Sequence, residues 1–194
     1  MNERDALEEE EEIEEEEKVE EKTIARLIGD TVKVLNTEDA QKVYEKGFYG
    51  EIQEDGTLKL SPVEALLLVE RNRLEVLNEN NEILNFQTLS KIFMKSNQDL
   101  WLKYLVYRDL RSRGYVVRPG YGGNIDFRLY PRGAKLGTDT AKSLIYIVRE
   151  GAPIGLEELD RVTKLAVSTR KKLEMAVVNR VGEVTYYQVS QVSI

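Results

Sequence analysis

YLVYRDLRSRGYVVRPGYGGNIDFRLYPRG, residues 104–133, is the stretch in which the chain passes from helix to sheet. Its first part continues an apolar spacing that begins upstream. Trp101, Tyr104, Leu105 and Leu110 recur at helical intervals and predict a helix over 99–113 with its apolar face in a core. Gly114 stops that helix. YVVRPG and NIDFRLY then read as strands, and in the second Phe127 and Leu129 alternate with Asp126 and Arg128, as burial of one face requires. LIYIV, EMAVVN and VTYYQVS read as three more strands, with GLEELDRVTKLAVST (155–169) as a helix between the third and fourth. The pattern predicts a mixed sheet with helices packed against it.

Upstream, TIARLIGDTVKVLN (23–36) is rich in β-branched residues and reads as strand, with a turn at Gly29-Asp30. Asp39 to Lys46 reads as a short helix ended by Gly47, and EIQEDGTLKL (51–60) as a hairpin about Asp55-Gly56. Ser61, Pro62 and Glu64 form a capping-box pattern, and ALLLVE behind them buries a broad face. A strand near Leu74–Leu77 and a helix over 86–95 follow. The expected fold is α+β in three parts. Residues 1–22 are an acidic low-complexity tail, 23–98 a small N-terminal α+β domain, and 99–194 a C-terminal domain built on a mixed β-sheet with flanking helices.

Composition narrows the chemistry. The 194 residues include no cysteine and no histidine, which removes disulfides, thiolate ligands, most zinc sites, and Ser-His and Cys-His nucleophile systems. Neither a metal nor a cofactor is expected. No run approaches the ~18 apolar residues of a membrane span, so a cytoplasmic protein without a membrane partner is expected. The net charge of -7 divides unevenly: residues 1–22 carry 13 acidic and 3 basic side chains, residues 23–100 carry 13 and 9, and residues 101–194 carry 9 and 16. A C-terminal half at +7 is the footprint of a phosphate-bearing partner, with Arg111, Arg113, Arg118, Lys164, Arg170 and Lys172 as candidate contacts. An ordinary charged surface is the other reading.

Residues 104–133, with SLIYIV (143–148) and KLAVSTRKKLEMAVVNRVGEVTYYQV (164–189), resemble the nuclease domain of the archaeal tRNA-splicing endonucleases, or tRNA-intron endonucleases. GFYGEI, LKLSPVEALLLVE and NRLEV resemble their N-terminal domain, so the resemblance covers residues 23–194. It implies a metal-independent ribonuclease fold that cuts precursor tRNA at bulge-helix-bulge motifs and leaves a 2′,3′-cyclic phosphate and a 5′-hydroxyl. That chemistry takes a base for the 2′-hydroxyl proton, an acid for the leaving 5′-oxygen and a cation for the phosphate. The family uses a tyrosine, a histidine and a lysine. Tyr130 matches the tyrosine and Lys171 the lysine, with Lys172 one register step away. At the histidine's place stands Ser143, or Lys142 if the alignment slides by one. A serine hydroxyl is far too weak an acid, and an unperturbed lysine near 10.4 is a poor substitute for an imidazole near 6.5. Loss of a general acid typically costs about 10²–10⁴ in rate. Lys164 stands seven residues before Lys171, where the family carries an arginine that clamps a bulged base, and lysine offers no planar fork for that stacking. Without the acid, Tyr130 also reads as an aromatic closing a strand, and Lys171 as a surface cation near a helix end.

What the resemblance implies is therefore a structural, non-catalytic subunit. Its partner would be a catalytic endonuclease subunit, in a heterotetramer of two catalytic and two structural chains acting on precursor tRNA. A self-sufficient endonuclease with a non-histidine acid and a stand-alone RNA-binding protein are the alternatives. VTYYQVSQVSI (184–194) is β-prone and carries no charge or proline. Val184, Tyr186, Tyr187, Val189 and Val192 belong either to an interior strand of the chain's own sheet or, as the resemblance implies, to a strand that meets a neighbouring subunit. In the turn NRVGEV, which corresponds to an acidic docking loop, Glu183 alone keeps the charge. The acidic tail reads as a solubilising leader or as a screen over the basic half against nonspecific RNA.

Overall fold

The computed structural model describes residues 22–122, 125–135 and 137–192. Both readings of the acidic tail lie outside the described residues, except for Lys22.

The N-terminal unit begins with a hairpin, β1 (Thr23–Ile28) and β2 (Thr31–Val34). Its turn is at Gly29-Asp30, where Gly29 has φ +59°. Helix α1 (Thr37–Glu45) starts two residues earlier than the sequence suggests, because Asn36 caps it by accepting the N–H groups of Glu38 and Asp39. β3 (Glu51–Ile52) and β4 (Leu58–Leu60) form the expected hairpin. Helix α2 (Pro62–Glu70) follows, with Val63 to Leu68 all buried. β5 (Leu74–Leu77) pairs parallel to β1, and a two-residue strand that the sequence did not announce, β6 (Ile83–Leu84), pairs with β5. The six strands run β3-β4-β2-β1-β5-β6. Helix α3 (Phe86–Ser96), capped by Asn85, completes the unit.

Helix α4 (Leu100–Ser112) joins the two halves. Tyr104, Leu105, Val106, Tyr107 and Leu110 are buried on it, and a single apolar core runs from Leu66 and Leu67 of α2 across α4 to the second sheet. Burying side chains of this size contributes ~1.5–3 kcal/mol each. Trp101 departs from the expectation: it is 41% exposed and stacks at 5.5 Å on Tyr104 instead of entering the core. The first turn of α4 has rotated it to the rim.

The second sheet contains β7 (Tyr115–Gly122), β8 (Ile125–Arg132), β9 (Ser143–Arg149), β10 (Lys172–Val178) and β11 (Val184–Val189), in the order β11-β10-β9-β8-β7. Only β9 and β10 are parallel, and helix α5 (Leu156–Ser168) connects them, since a parallel pair cannot be closed by a tight turn. One face of the sheet, with Val117, Phe127, Leu129, Ile145, Ala176 and Val178, packs on the α4 core. The other, with Leu144, Tyr146, Val148 and Leu173, packs on Val162 and Ala166 of α5. The architecture is α+β with two mixed sheets, as the sequence predicts. Among the described residues no helix is long and apolar enough to cross a membrane.

Candidate functional site

Strand register decides which of the sequence-predicted residues can meet. Tyr130 pairs with Val116 of β7, while its neighbour Leu129 pairs with Ser143 of β9, and Ser143 in turn with Lys172 of β10. Because side chains alternate along a strand, Tyr130 and Ser143 leave the sheet on opposite faces. Tyr130 is 9% exposed and packs with Val116, Ala134 and Ala141. Phe48, from the N-terminal unit, lies against the same cluster. Ser143 is buried on the α4 side, where its hydroxyl donates to Glu174 Oε1 at 2.6 Å.

Lys142 is placed differently. Its N–H donates to the Leu129 carbonyl at 2.8 Å and its own carbonyl accepts from the Lys172 N–H at 3.0 Å, so it bridges β8 and β10 one step before β9 begins. By the same registers Tyr130, Lys142 and Lys171 form one row. Lys171 lies just past the end of α5, where its ammonium donates to the Thr169 carbonyl at 3.0 Å, a C-terminal position that suits a cation. It is also 5.9 Å from the centre of the Tyr121 ring, over which the Arg128 guanidinium sits at 4.8 Å. Tyr121 and Arg128 escaped the sequence reading as site residues. The available signal was Arg128 on the polar side of the Phe127–Leu129 alternation. The row supplies cations and an aromatic face suited to a phosphodiester, and no imidazole.

A cavity of about 430 Å³ is lined by Leu110, Leu129, Tyr130, Lys142, Ser143, Glu174 and Tyr186 and rimmed by Arg113 and Arg132, so it brings Tyr130, Lys142 and Ser143 to one space. Tyr186 donates to Asp109 at 2.8 Å. Burial first, and then this bond, push its phenol well above the ordinary range.

The six candidate phosphate contacts divide into two groups. Arg111 donates to the carbonyls of Gly47 (2.9 Å) and Tyr115 (3.2 Å) and lies 4.1 Å over the Tyr49 ring. Arg118 donates to the carbonyls of Phe48 and Gly50 and faces Glu64 at 3.8 Å. Both tie the second sheet to the N-terminal unit. Arg113 is half-exposed and forked on Asp109 at 3.0 and 3.2 Å. Lys164 pairs with Asp160 at 2.7 Å on the open side of α5, and Arg170 and Lys172 are exposed.

Comparison with known proteins identifies the family. Residues 23–90 match the model of the tRNA intron endonuclease N-terminal domain, and residues 100–186 that of the tRNA intron endonuclease catalytic C-terminal domain. The chain belongs to the tRNA intron endonuclease family. Among its relatives, the tRNA-splicing endonuclease of Methanococcus vannielii is 36% identical over 174 residues, which cover 89% of this chain and 97% of that protein. That of Methanothermobacter thermautotrophicus is 34% identical over 163 residues, covering 84% and 94%. That of Methanococcoides burtonii is 36% identical over 167 residues, covering 86% of this chain but 46% of the longer relative. Against some of its relatives the chain therefore spans about half their length.

The last strand and the turn before it hold the remaining residues that the sequence singles out. β11 is an edge strand, paired in this chain to β10 alone, from Val178↔Val184 to Leu173↔Val189. This resolves the alternative left open by the sequence: it is not interior to its own sheet. Tyr187 is 53% and Val192 81% exposed, whereas Tyr186 turns inward to Asp109. In the preceding turn Asn179 Oδ1 accepts from the N–H groups of Val181 and Glu183, and its amide donates to Glu183 at 2.8 Å. Glu183 is thus engaged with the turn, which presents the exposed Arg180 and Val181 outward.

Proposed function

We propose that this chain is a non-catalytic, structural subunit of a heteromeric tRNA-splicing endonuclease, paired two-and-two with a histidine-bearing catalytic chain and contributing contacts to precursor tRNA. One observation carries the reading: the sequence has no histidine, and the serine that could stand in for it donates its hydroxyl proton to Glu174. The packing of Tyr130 against Val116, Ala141 and Phe48 supports a structural reason for its presence. With Arg111 and Arg118 committed within the chain, phosphate contacts fall to Arg113, Lys164, Arg170 and Lys172, joined by Arg128 and Lys142 beside Tyr130.

Reconstitution tests this. The purified chain alone should leave a bulge-helix-bulge RNA uncut, and adding the catalytic chain should start cleavage. Within that complex Tyr130→Phe and Lys171→Ala should change the rate by far less than the about 10²–10⁴ that removal of a catalytic group costs. A second reading has one observation in its favour, the place of Lys142 in the row between Tyr130 and Lys171. If the lone chain cuts and Lys142→Ala stops it, Lys142 is the acid and the enzyme is self-sufficient.

A further inference from the structure

A groove of about 550 Å³ lies between β1 and α1. Lys22, Arg26, Lys42, Lys46 and Arg73 line it, and Asp39, 3.3 Å from Lys42, is the one carboxylate among its described lining residues. Five cations against one carboxylate give the lining a net of +4, inside a unit that is net acidic, with 13 acidic and 9 basic side chains over residues 23–100. Arg26 donates to the neutral Asn81 amide oxygen at 2.6 Å, and Arg73 lies 5.9 Å from the Tyr49 ring centre.

Positive charge continues beyond the groove on both sides. Val32, Val34, Leu58 and Leu60 are buried, so Lys33 and Lys59 between them lie on the face of the first sheet turned away from the core, as does Arg26 beside the buried Ala25. Arg26 of β1 stands opposite Lys33 of β2, and Lys33 opposite Lys59 of β4. Three cations thus follow one another directly across three strands, at the ~4.8 Å spacing of neighbouring strands, before Glu51 of β3 ends the row. Like charges directly opposite one another destabilise a sheet, and a bound polyanion offsets that repulsion. On the other side the groove leads toward Tyr130. Lys46, the C-cap of α1, stands two residues before Phe48, within ~7 Å of chain, and Phe48 packs on the cluster of Tyr130, Val116, Ala134 and Ala141. A cationic track that begins near Tyr130 and crosses a net acidic unit matches the phosphodiester backbone of an RNA held at the row of Tyr130, Lys142 and Lys171. The groove lining contains no aromatic side chain on which a base could stack, so its contacts fall on phosphates and are indifferent to sequence.

We propose that this track on the N-terminal unit, from Lys46 and Lys42 through Arg26 to Lys33 and Lys59, binds the RNA backbone of precursor tRNA beyond the row at Tyr130. The inference rests on the reading that this chain contributes contacts to precursor tRNA. The probe is a bulge-helix-bulge RNA titrated into the full-length chain. In the unaltered chain it should shift the amide signals of Ile24, Lys33 and Lys42, and an RNA of scrambled sequence but the same pairing should shift them equally. Arg26→Gln, Lys33→Gln and Lys42→Gln together should leave the thermal midpoint unchanged. They should flatten the salt dependence of binding by about 0.7–0.9 log units per lost contact and weaken binding about tenfold near 0.1 M salt. An unchanged salt slope and unmoved amides, with binding lost instead on Lys164→Gln and Arg170→Gln, overturn this proposal and leave the tRNA contacts of the second sheet standing. Absence of binding to either RNA overturns both. A polyglutamate peptide that shifts these amides while the RNA does not assigns the groove to an acidic protein segment, and likewise overturns the proposal.

Discussion

Glu64 is a residue whose local and distant roles can be separated. It accepts from the N–H and hydroxyl of Ser61 at 2.9 and 2.6 Å, closing the capping box of α2, and from the Gly50 N–H at 2.8 Å. It also faces Arg118 at 3.8 Å while 2% exposed. Gly50 approaches closely enough for this because it has no side chain: with φ +68°, an added Cβ would stand 2.6 Å from the Lys59 carbonyl. Glu64→Ala removes the carboxylate facing Arg118, which keeps its carbonyl partners, and leaves the Gly50 amide unpaired, and should cost about 1–3 kcal/mol, read from the urea midpoint at neutral pH. The double variant Glu64→Leu/Arg118→Leu should recover part of that loss, because both charges then go together. A single-variant cost below about 1 kcal/mol would mean that water satisfies the site. The capping box was legible in Ser61-Pro62-Glu64. The tie to Arg118 was not, since it joins residues 54 apart whose approach depends on how α4 seats the second sheet.

At the scale of elements, β11 combines an anchored inner face with an unprotected edge. Tyr186 bonds to Asp109 of α4, while Tyr187 faces outward, 53% exposed. Backbone groups on its free side lack the lysine, proline or bulge that usually blunts an edge, which favours pairing with another chain. If the proposed catalytic subunit pairs there, truncation after Tyr187, or Val189→Pro, should abolish co-purification with it while residues 23–180 keep their circular dichroism. A full-size complex of the truncated chain by light scattering would exclude this strand as the contact. α4 teaches a related lesson. Its helical spacing correctly located Tyr104, Leu105 and Leu110 in the core, but Trp101 sits in the first turn and ends at the rim beside Val181, which is 79% exposed. Periodicity marks a face; only packing shows where that face ends.

For the molecule as a whole, one core passes through α4 and joins two sheets, and several of its phenols are coupled to it. Burial pushes Tyr107 well above the ordinary range. Burial, and then the bond to Asp109, do the same for Tyr186. Tyr146, buried and then near Glu158, is pushed up to about 12. The folded chain therefore keeps these protons when the unfolded chain, with phenols near 10, releases them. The stability they contribute is complete below about pH 10 and declines as the pH rises toward the raised folded values. Thermal midpoints should fall between about pH 9.5 and 11, and Tyr186→Phe, less stable at pH 8 by about 1 kcal/mol, should show a shallower fall. Equal slopes would place the alkaline loss in other groups.

The sequence by itself determined the order of elements, the two-unit α+β architecture and the membership of a nuclease family, because alternation, capping residues and turn glycines are local properties that survive without knowledge of the partners they meet. It also determined that no histidine is available to this chain as an acid. Only the tertiary structure showed that Ser143 donates to Glu174 and that Tyr130, Lys142 and Ser143 line one cavity, because strand pairing joins residues that are distant in the sequence. It also decided that Arg111 and Arg118, which are merely basic in a linear reading, hold the two units together, and that a groove at +4 lies within the net acidic N-terminal unit. Charge counted along a chain gives totals, while the field that a ligand meets depends on which side chains folding brings to one surface.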